Sequence, residues 1–496
     1  MLGAMVSGAA TRFGAKPAYV SPLGWPLSYA ELDQTTDRVA AGLIGRGITE
    51  GDVIALLLPP GLEYLVSYVA AAKIGAITAG INHRLTSAEQ TVILDQADPR
   101  LVIAAPGSPS FTGEVVELVE AQSVADLGGV LQSSTTAPEP LAVDPNRSVA
   151  IIFTSGTTGM PKGAIYGNRQ LEYITQIDVG DDWGGGTLSF TGTSFAHLGF
   201  MTKLPGNLKR GGTSFIMKTW SATAALDLIS KEKMVTVAGV PAQIALMLRH
   251  PDFNNYDLTS VRNIIVGGGP VTPGLAQSAR EKFGARLATR YSCTEAGIGL
   301  GTGFDDPEED AIVSVGRPLA TVELRVLDDS LNEVAQGETG EIALRSPAVM
   351  NGYWRDPEAT RAVFTPDGFV RTGDLGWVDE HGRVRLVGRS KEMYVRGGYN
   401  VYPVEVEAVL STHPGVASVA IIPQTDLVMG ETGVAFVVMR PEHRRVTLEE
   451  LRDHAQHELA HYKLPETLQI IDEIPLTAGE KTDRAALAQR LATRSK

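Results

Sequence analysis

Residues 153–163 read FTSGTTGMPKG. Four hydroxyls (Thr154, Ser155, Thr157, Thr158), three glycines (Gly156, Gly159, Gly163) and one cation, Lys162, follow directly on the apolar run Val149-Ala150-Ile151-Ile152-Phe153. Glycines let a backbone turn tightly and bring its N–H groups near phosphate oxygens, and hydroxyls and an ammonium add donors. The pattern predicts a strand followed by a loop that cradles a polyanion. The plain alternative is a Gly/Ser/Thr surface loop, which the lysine and the preceding strand disfavour. The stretch is not a Walker A loop, GxxxxGK[ST]. Proline stands at 161 where the second glycine belongs, and Gly163 stands where a hydroxyl would hold magnesium. Proline also lacks the N–H that such a loop uses. The following AIYGNRQL does not open as a clean amphipathic helix.

Outward from the loop, helix-like and strand-like segments alternate. PLSYAELDQTTDRVAAGLIGRG, LEYLVSYVAAAKIGA, ALDLISKEK and AQIALMLRH read as helices. DVIALLLP, RLVIAAP, VTVAGVP and RNIIVGGG read as buried strands. This alternation predicts an α/β fold with largely parallel sheets. Residues 105–148 are richer in Pro, Ser and Thr and read as a surface excursion. From about residue 315 the texture turns to short strands with acidic and glycine turns, as in a small β-barrel or meander. After residue 390 a helix, two strands, a helix and a strand predict a compact α+β unit. The expected architecture is a large domain, 1–390, of α/β subdomains plus a small β-barrel, and a C-terminal α+β domain, 391–496. The 496 residues exceed what one core organises.

Lys+Arg number 43 against Asp+Glu 57, a net charge of −14. That balance argues against nucleic acid or an anionic membrane as the main partner, and leaves room for a small anionic ligand held by a local basic site. The apolar run Val53–Leu58 is too short to span a bilayer, the first residues lack a signal-peptide pattern, and the one cysteine, Cys293, fits a reducing cytoplasm.

Further motifs follow in order. VGGGP (266–270) lets backbone approach a flat ring. RYSCTEAG (290–297) brings together an aromatic, a hydroxyl and a carboxylate. RTGD (371–374) offers a carboxylate to two ribose hydroxyls. VGRSKEMYVRGGYNVYPVEVE (387–407) carries Arg389, Lys391, Arg396 and two glycines, and PLTAGEKTDR (475–484) places Lys481 in a polar turn. Each alone is an ordinary turn. Together, at these spacings and with NGYWRDPEATRAVF (351–364), they resemble the adenylate-forming superfamily of acyl-CoA synthetases, 4-coumarate–CoA ligases, peptide-synthetase adenylation domains and firefly luciferase. The resemblance covers nearly the whole chain.

The resemblance implies a carboxylate–CoA ligase that uses ATP, Mg2+ and coenzyme A. An acid plus ATP gives an acyl-adenylate and pyrophosphate; the thiol of CoA then displaces AMP. It implies that Thr154, Ser155, Gly156, Thr157, Thr158, Gly159 and Lys162 hold the phosphates. Gly268, Gly269, Pro270 and Tyr291 would frame adenine, with Thr294 on the α-phosphate and Glu295 on magnesium. Asp374 would take the ribose hydroxyls, assisted by Arg389. Lys481 would bridge the acid and the α-phosphate, Gly397 and Gly398 would line a pantetheine tunnel, and His197 would stand at the acyl-pocket entrance. Lys391 would be the hinge of a mobile C-terminal domain. The implied enzyme is cytoplasmic, a monomer or homodimer. An enzyme that loads a carrier protein, and a non-catalytic adenylate-binding paralogue, are the alternatives. One departure stands out: the family usually has glycine immediately before its terminal lysine, and here Glu480 occupies that place, with Gly479 one residue earlier.

For the acid, the sequence offers AGIGLGTGF, with Gly297, Gly299, Gly301 and Gly303 at alternate positions, and Ala196 just before His197. On an extended strand those glycines share one face. Either that face lines a roomy acyl pocket, for a medium- or long-chain fatty acid or a bulky ring-bearing acid, or the glycines relieve backbone crowding.

Overall fold

A computed structural model of the chain describes all residues but 110, 135–136, 155–159, 442 and 495–496. It contains two compact units. The first comprises residues 1–220, 293–298 and 346–363; the second comprises 221–292, 299–345 and 364–496.

The first unit is organised on a six-stranded sheet, ordered Glu114–Glu117, Leu101–Ala104, Val53–Leu57, Ile77–Gly80, Ser148–Phe153, Gly163–Gly167. All its pairings are parallel except the last. Every residue of Val53–Leu57 is buried, as a parallel strand covered on both faces requires. Two helices of this unit, Tyr29–Gly45 and Ser87–Ala97, start where the side chains direct. Ser28 accepts from the Glu31 N–H while the Glu31 carboxylate accepts from the Ser28 N–H, and Thr86 and Glu89 repeat the same reciprocal cap. The excursion at 105–148 is not wholly loop: Glu114–Glu117 leaves it to become the sheet's edge strand. A second sheet of this unit joins Pro26–Ser28, Pro17–Val20, Thr213–Ile216 and Leu188–Thr191.

The strand Gly163–Gly167 lies antiparallel to Ser148–Phe153, with Phe153 opposite Gly163. A Walker loop leads straight into a helix. Here a strand intervenes, and the helix Asn168–Val179 begins only after it.

In the second unit Thr236–Gly239, Asn263–Gly267 and Arg286–Cys293 run parallel and in register. Four antiparallel strands then form a meander, Glu323–Leu327, Gly340–Arg345, Val370–Val378 and Val384–Arg389. The C-terminal sheet is built on the hairpin Val416–Asp426/Gly430–Met439, with Thr467–Ile470 and the small hairpin Tyr394–Arg396/Tyr399–Val401 beside it. Its core gathers Val406, Leu410, Ile421, Ala435, Val437 and Leu451. Among the described residues no helix is long and apolar enough to cross a membrane.

The alternate glycines resolve to the second of their two readings. A Cβ on Gly297 would stand 2.6 Å from the Ala348 carbonyl oxygen, one on Gly299 2.5 Å from Leu344 Cδ1, one on Gly301 3.1 Å from the Thr289 carbonyl and one on Gly303 3.3 Å from Asp306. At Gly297, Gly299 and Gly301 protein atoms fill the room that a side chain would take, whereas Gly303 is exposed and meets only the Asp306 carboxylate. Gly297, at φ +68°, is not extended at all, so the four do not share one open face. The reading of an open pocket wall gives way accordingly: Gly297, Gly299 and Gly301 are crowded by backbone and side chains.

Candidate active site

Within the first unit the loop is closed at its base. The Thr154 N–H donates to the Lys162 carbonyl at 2.9 Å, and the Lys162 N–H donates to Thr154 Oγ1 at 3.3 Å. Ser155, Gly156, Thr157, Thr158 and Gly159 lie outside the described residues. The Lys162 ammonium sits over the Tyr353 ring, 5.2 Å from its centroid. The Tyr353 hydroxyl donates to Glu295 Oε1 at 2.8 Å. The Tyr166 hydroxyl donates to the Thr294 carbonyl at 2.8 Å, and the Met350 N–H to the Glu295 carbonyl at 3.0 Å. Thr154, Lys162, Thr294 and Glu295, far apart in sequence, are therefore gathered here. Burial, then the Glu295 carboxylate, push the Tyr353 phenol far above its ordinary pKa, so it stays a hydrogen-bond donor to that carboxylate.

Sequence reasoning assigned no role to Tyr353 or Tyr166. Tyr353 lies in the NGYWRDPEATRAVF stretch, which was legible as a motif. What it touches was not, because that depends on the bridge pairing Ala164 with Tyr353. Cys293 is buried beside this cluster. His197 caps the short helix Leu198–Met201, and its Nε2 stands 3.0 Å from Asn82 Nδ2. With the amide donating, that nitrogen is the acceptor and the ring is neutral. Ala196 is buried, next to the stacked pair Phe195–Phe200 and their edge-on neighbour Tyr64.

The second unit assembles the other half of the predicted set. Gly268, Gly269 and Pro270 follow the C-terminal end of Asn263–Gly267, and Tyr291 lies at the same end of the adjacent parallel strand. Ligands of open α/β sheets bind at that end. The Tyr291 hydroxyl donates to Asp374 Oδ2 at 2.6 Å, and Arg389 Nε donates to Asp374 Oδ1 at 2.9 Å. Asp374 and Arg389 face each other across neighbouring meander strands, which fixes the pair. Asp374 is 7% exposed, so its carboxylate is held rigidly by two donors in a mostly dry setting.

The predicted hinge, Lys391, is exposed in the turn between Val384–Arg389 and Tyr394–Arg396. Gly397 and Gly398 form a two-residue hairpin turn at φ +56° and +86°, the left-handed values that such a turn demands. The Gly397 N–H donates to the Met429 carbonyl at 2.7 Å. Lys481 is exposed in a turn closed by Thr477 N–H to the Lys481 carbonyl at 2.8 Å and Glu480 N–H to the Thr477 carbonyl at 2.9 Å. Glu480 itself adopts φ +61°. The family's glycine position is left-handed here as well, but a glutamate fills it.

Comparison with known proteins identifies the family. The family model described as AMP-binding enzyme matches residues 6–354, and that of the AMP-binding enzyme C-terminal domain matches residues 405–481. A fatty acid–[acyl-carrier-protein] ligase of Streptomyces coeruleorubidus is 32% identical, over 94% of this chain and 92% of its own. A feruloyl-CoA synthase of an Amycolatopsis species is 32% identical over 94% of each chain. The crystal structure of an anthranilate CoA ligase in complex with anthranoyl-AMP superposes with a TM-score of 0.88 at 25% identity, covering 99% of this chain and 98% of that one. Matched by these family models and relatives over nearly its whole length, this chain belongs to the AMP-binding enzyme family, as an acid–thiol ligase.

Proposed function

We propose that the chain activates a ring-bearing carboxylic acid with ATP and passes the acyl group to the thiol of coenzyme A. The observation that carries the reading is the preset Tyr291–Asp374–Arg389 cluster beside Gly268–Pro270. A buried carboxylate fixed by two donors, next to an aromatic and a bare backbone, suits a ribose and an adenine. In this reading Thr154 and Lys162, with the loop residues 155–159, take the triphosphate. Thr294 takes the α-phosphate, and Lys481 takes both the incoming carboxylate and the α-phosphate oxygens. The acid oxygen attacks the α-phosphorus and pyrophosphate leaves. The thiol of CoA then attacks the acyl carbon and AMP leaves. Gly397 and Gly398 flank the pantetheine, His197 stands at the acyl entrance, and the segment 391–496 swings about Lys391 between the two steps.

Glu295 fits magnesium. It supplies a hard oxygen, and its Oε1 is fixed by Tyr353. Among the described residues no group of three His, Cys, Asp or Glu could hold a metal on its own. Magnesium is ordinarily held by one or two carboxylates together with substrate phosphates. Bound there, the ion would neutralise charge on the reacting phosphates.

The ring-bearing acid is favoured by the aryl acids in the names of the feruloyl-CoA and anthranilate relatives. A pyrophosphate-release screen with CoA, across short and long fatty acids, benzoates, cinnamates and alicyclic acids, tests it. A fatty acid turning over tenfold better than every ring-bearing acid would reject the substrate class and leave the ligase reaction standing. The Streptomyces relative favours a second reading, in which the acceptor is the pantetheine of a carrier protein. Comparing a holo carrier protein with free CoA as acceptor separates the two.

A further inference from the structure

The second unit contains a cavity of about 400 Å³ whose wall includes Arg249, Lys282 and Arg440 and, among the described residues, no aspartate or glutamate. In a chain of net charge −14 this is a local reversal of sign. None of the described residues assigned above to ATP, the acid or CoA lines it.

Among the described residues the hydrogen bonds of the three cations all end on neutral oxygens. Arg249 Nη2 donates to the Asp472 carbonyl at 2.9 Å, and Lys282 Nζ to the Leu248 carbonyl at 3.1 Å. Arg440 donates through Nε to the Val416 carbonyl at 3.1 Å and through Nη2 to Ser278 Oγ at 2.9 Å. Among the described residues no carboxylate forms an ion pair with any of them. A guanidinium has five N–H donors, so both arginines keep donors in reserve. Asp472 and Glu473 act on Arg249 from nearby, but neither lines the cavity. His250 adds no charge. Its Nδ1 accepts from the Asp252 N–H at 3.2 Å, so Nε2 donates to Thr223 Oγ1 at 2.9 Å and the ring is neutral.

The remaining wall is largely apolar and includes Leu248, Phe253 and Leu275. The volume falls in the range of small-molecule sites rather than that of one inorganic ion. Three wall cations with no described carboxylate among the wall residues favour a dianion over a monoanion, and guanidinium forks match phosphate geometry. We propose that this cavity is a binding site for a small organic phosphate, with the phosphate dianion on Arg249, Lys282 and Arg440 and an apolar body against Leu248 and Phe253. The site draws on the helices Pro241–Leu248 and Pro273–Phe283 and on Arg440 at the end of Gly430–Met439. A ligand there would therefore tie the C-terminal segment to residues 241–283.

Calorimetric titration of the full-length protein with phenyl phosphate, and separately with inorganic phosphate, tests the proposal. The expected result is one phenyl phosphate per chain, bound about tenfold more tightly than inorganic phosphate because the ring is buried. Lys282→Glu should weaken phenyl phosphate about tenfold or more, since it replaces a charged donor with a repelling charge. Arg249→Gln should do the same. Lys282 is exposed, so its reversal tests the site even if the arginine variant misfolds. Lys162→Ala should leave the binding unchanged. The proposal is overturned if phenyl phosphate does not bind, if it binds no more tightly than inorganic phosphate, if Lys282→Glu binds as the wild type does, or if Lys162→Ala removes the binding.

Discussion

Glu480 provides a test that separates backbone from charge at one position. Its φ of +61° is the left-handed conformation, which costs an ordinary L-residue about 1–2 kcal/mol and glycine almost nothing. The turn that contains it is closed by the Thr477 N–H bond to the Lys481 carbonyl and by the bridge pairing Leu476 with Thr482. Glu480→Gly should relieve the conformation, but glycine loses about 0.5–1 kcal/mol more freedom on ordering. The net gain in closing the turn is then about 1 kcal/mol, or roughly fivefold in its opening equilibrium. Glu480→Ala keeps the strain and removes the carboxylate. Amide hydrogen exchange of Thr477 reads the opening directly. It should be about fivefold slower in Glu480→Gly than in wild type or Glu480→Ala. The charge is read separately. The Glu480 carboxylate next to Lys481 is only partly exposed; a pair of unit charges about 4 Å apart is worth about 1 kcal/mol in water and more where solvent is displaced, so both variants should speed pyrophosphate release by at least a few-fold and leave the conversion of synthetic acyl-adenylate with CoA alone. Equal Thr477 exchange in the glycine and alanine variants would refute the backbone argument. Unchanged pyrophosphate release in both would refute the electrostatic one.

Lys481→Ala should lower pyrophosphate release from acid and ATP by roughly 10²–10³ while sparing thioester formation from acyl-adenylate, because a contact made only with charge at the α-phosphate is lost in one step; equal loss in both half-reactions would argue against its placement. Tyr291→Phe removes the 2.6 Å bond to Asp374, a charged contact worth about 1.5–3 kcal/mol, and should raise the KM for ATP at least several-fold; an unchanged KM would separate Asp374 from nucleotide binding. Glu295→Gln should leave the circular dichroism spectrum intact and shift the magnesium titration of pyrophosphate release to higher concentration. Asp379, buried against Arg383, titrates below the ordinary carboxylate range. Burial alone would raise it, but the Arg383 backbone and side-chain bonds outweigh that. A depressed carboxylate stabilises the fold above its unfolded pKa of about 4 and loses that contribution as pH falls through the folded value. Acid unfolding of the wild type should therefore steepen below about pH 4, and Asp379→Asn should flatten that limb.

How much of this was legible in the chain differs from residue to residue. The strand before the phosphate loop, the alternating α/β segments and the C-terminal helix–strand–strand–helix–strand unit follow from apolar runs, periodicity and caps, all local properties that any 20-residue window carries. The exclusion of a Walker loop was local too, resting on Pro161 and Gly163, and the strand Gly163–Gly167 agrees with it. Lys162, Glu295, Asp374, Arg389 and Lys481 could be singled out because their motifs, in this order and spacing, resemble those of the adenylate-forming superfamily, a resemblance visible without coordinates.

Contacts across the chain were not visible. Nothing near residue 353 says that its hydroxyl meets Glu295, 58 residues earlier, or that its ring lies beneath Lys162. Nothing near Tyr291 names Asp374 as its acceptor. The glycines after the YSCTE motif show the limit most clearly. Their spacing allowed an open face or a crowded one, and only the positions of Leu344, Ala348 and the Thr289 carbonyl chose the crowded one. The same holds for the cationic cavity. Arg249, Lys282 and Arg440 are ordinary surface cations when read along the chain, and packing alone makes them neighbours with no carboxylate among the described wall residues. Local propensity and reactive side chains are properties of the sequence itself. Which atoms fill the space beside a given residue is set by tertiary packing, which joins segments hundreds of residues apart.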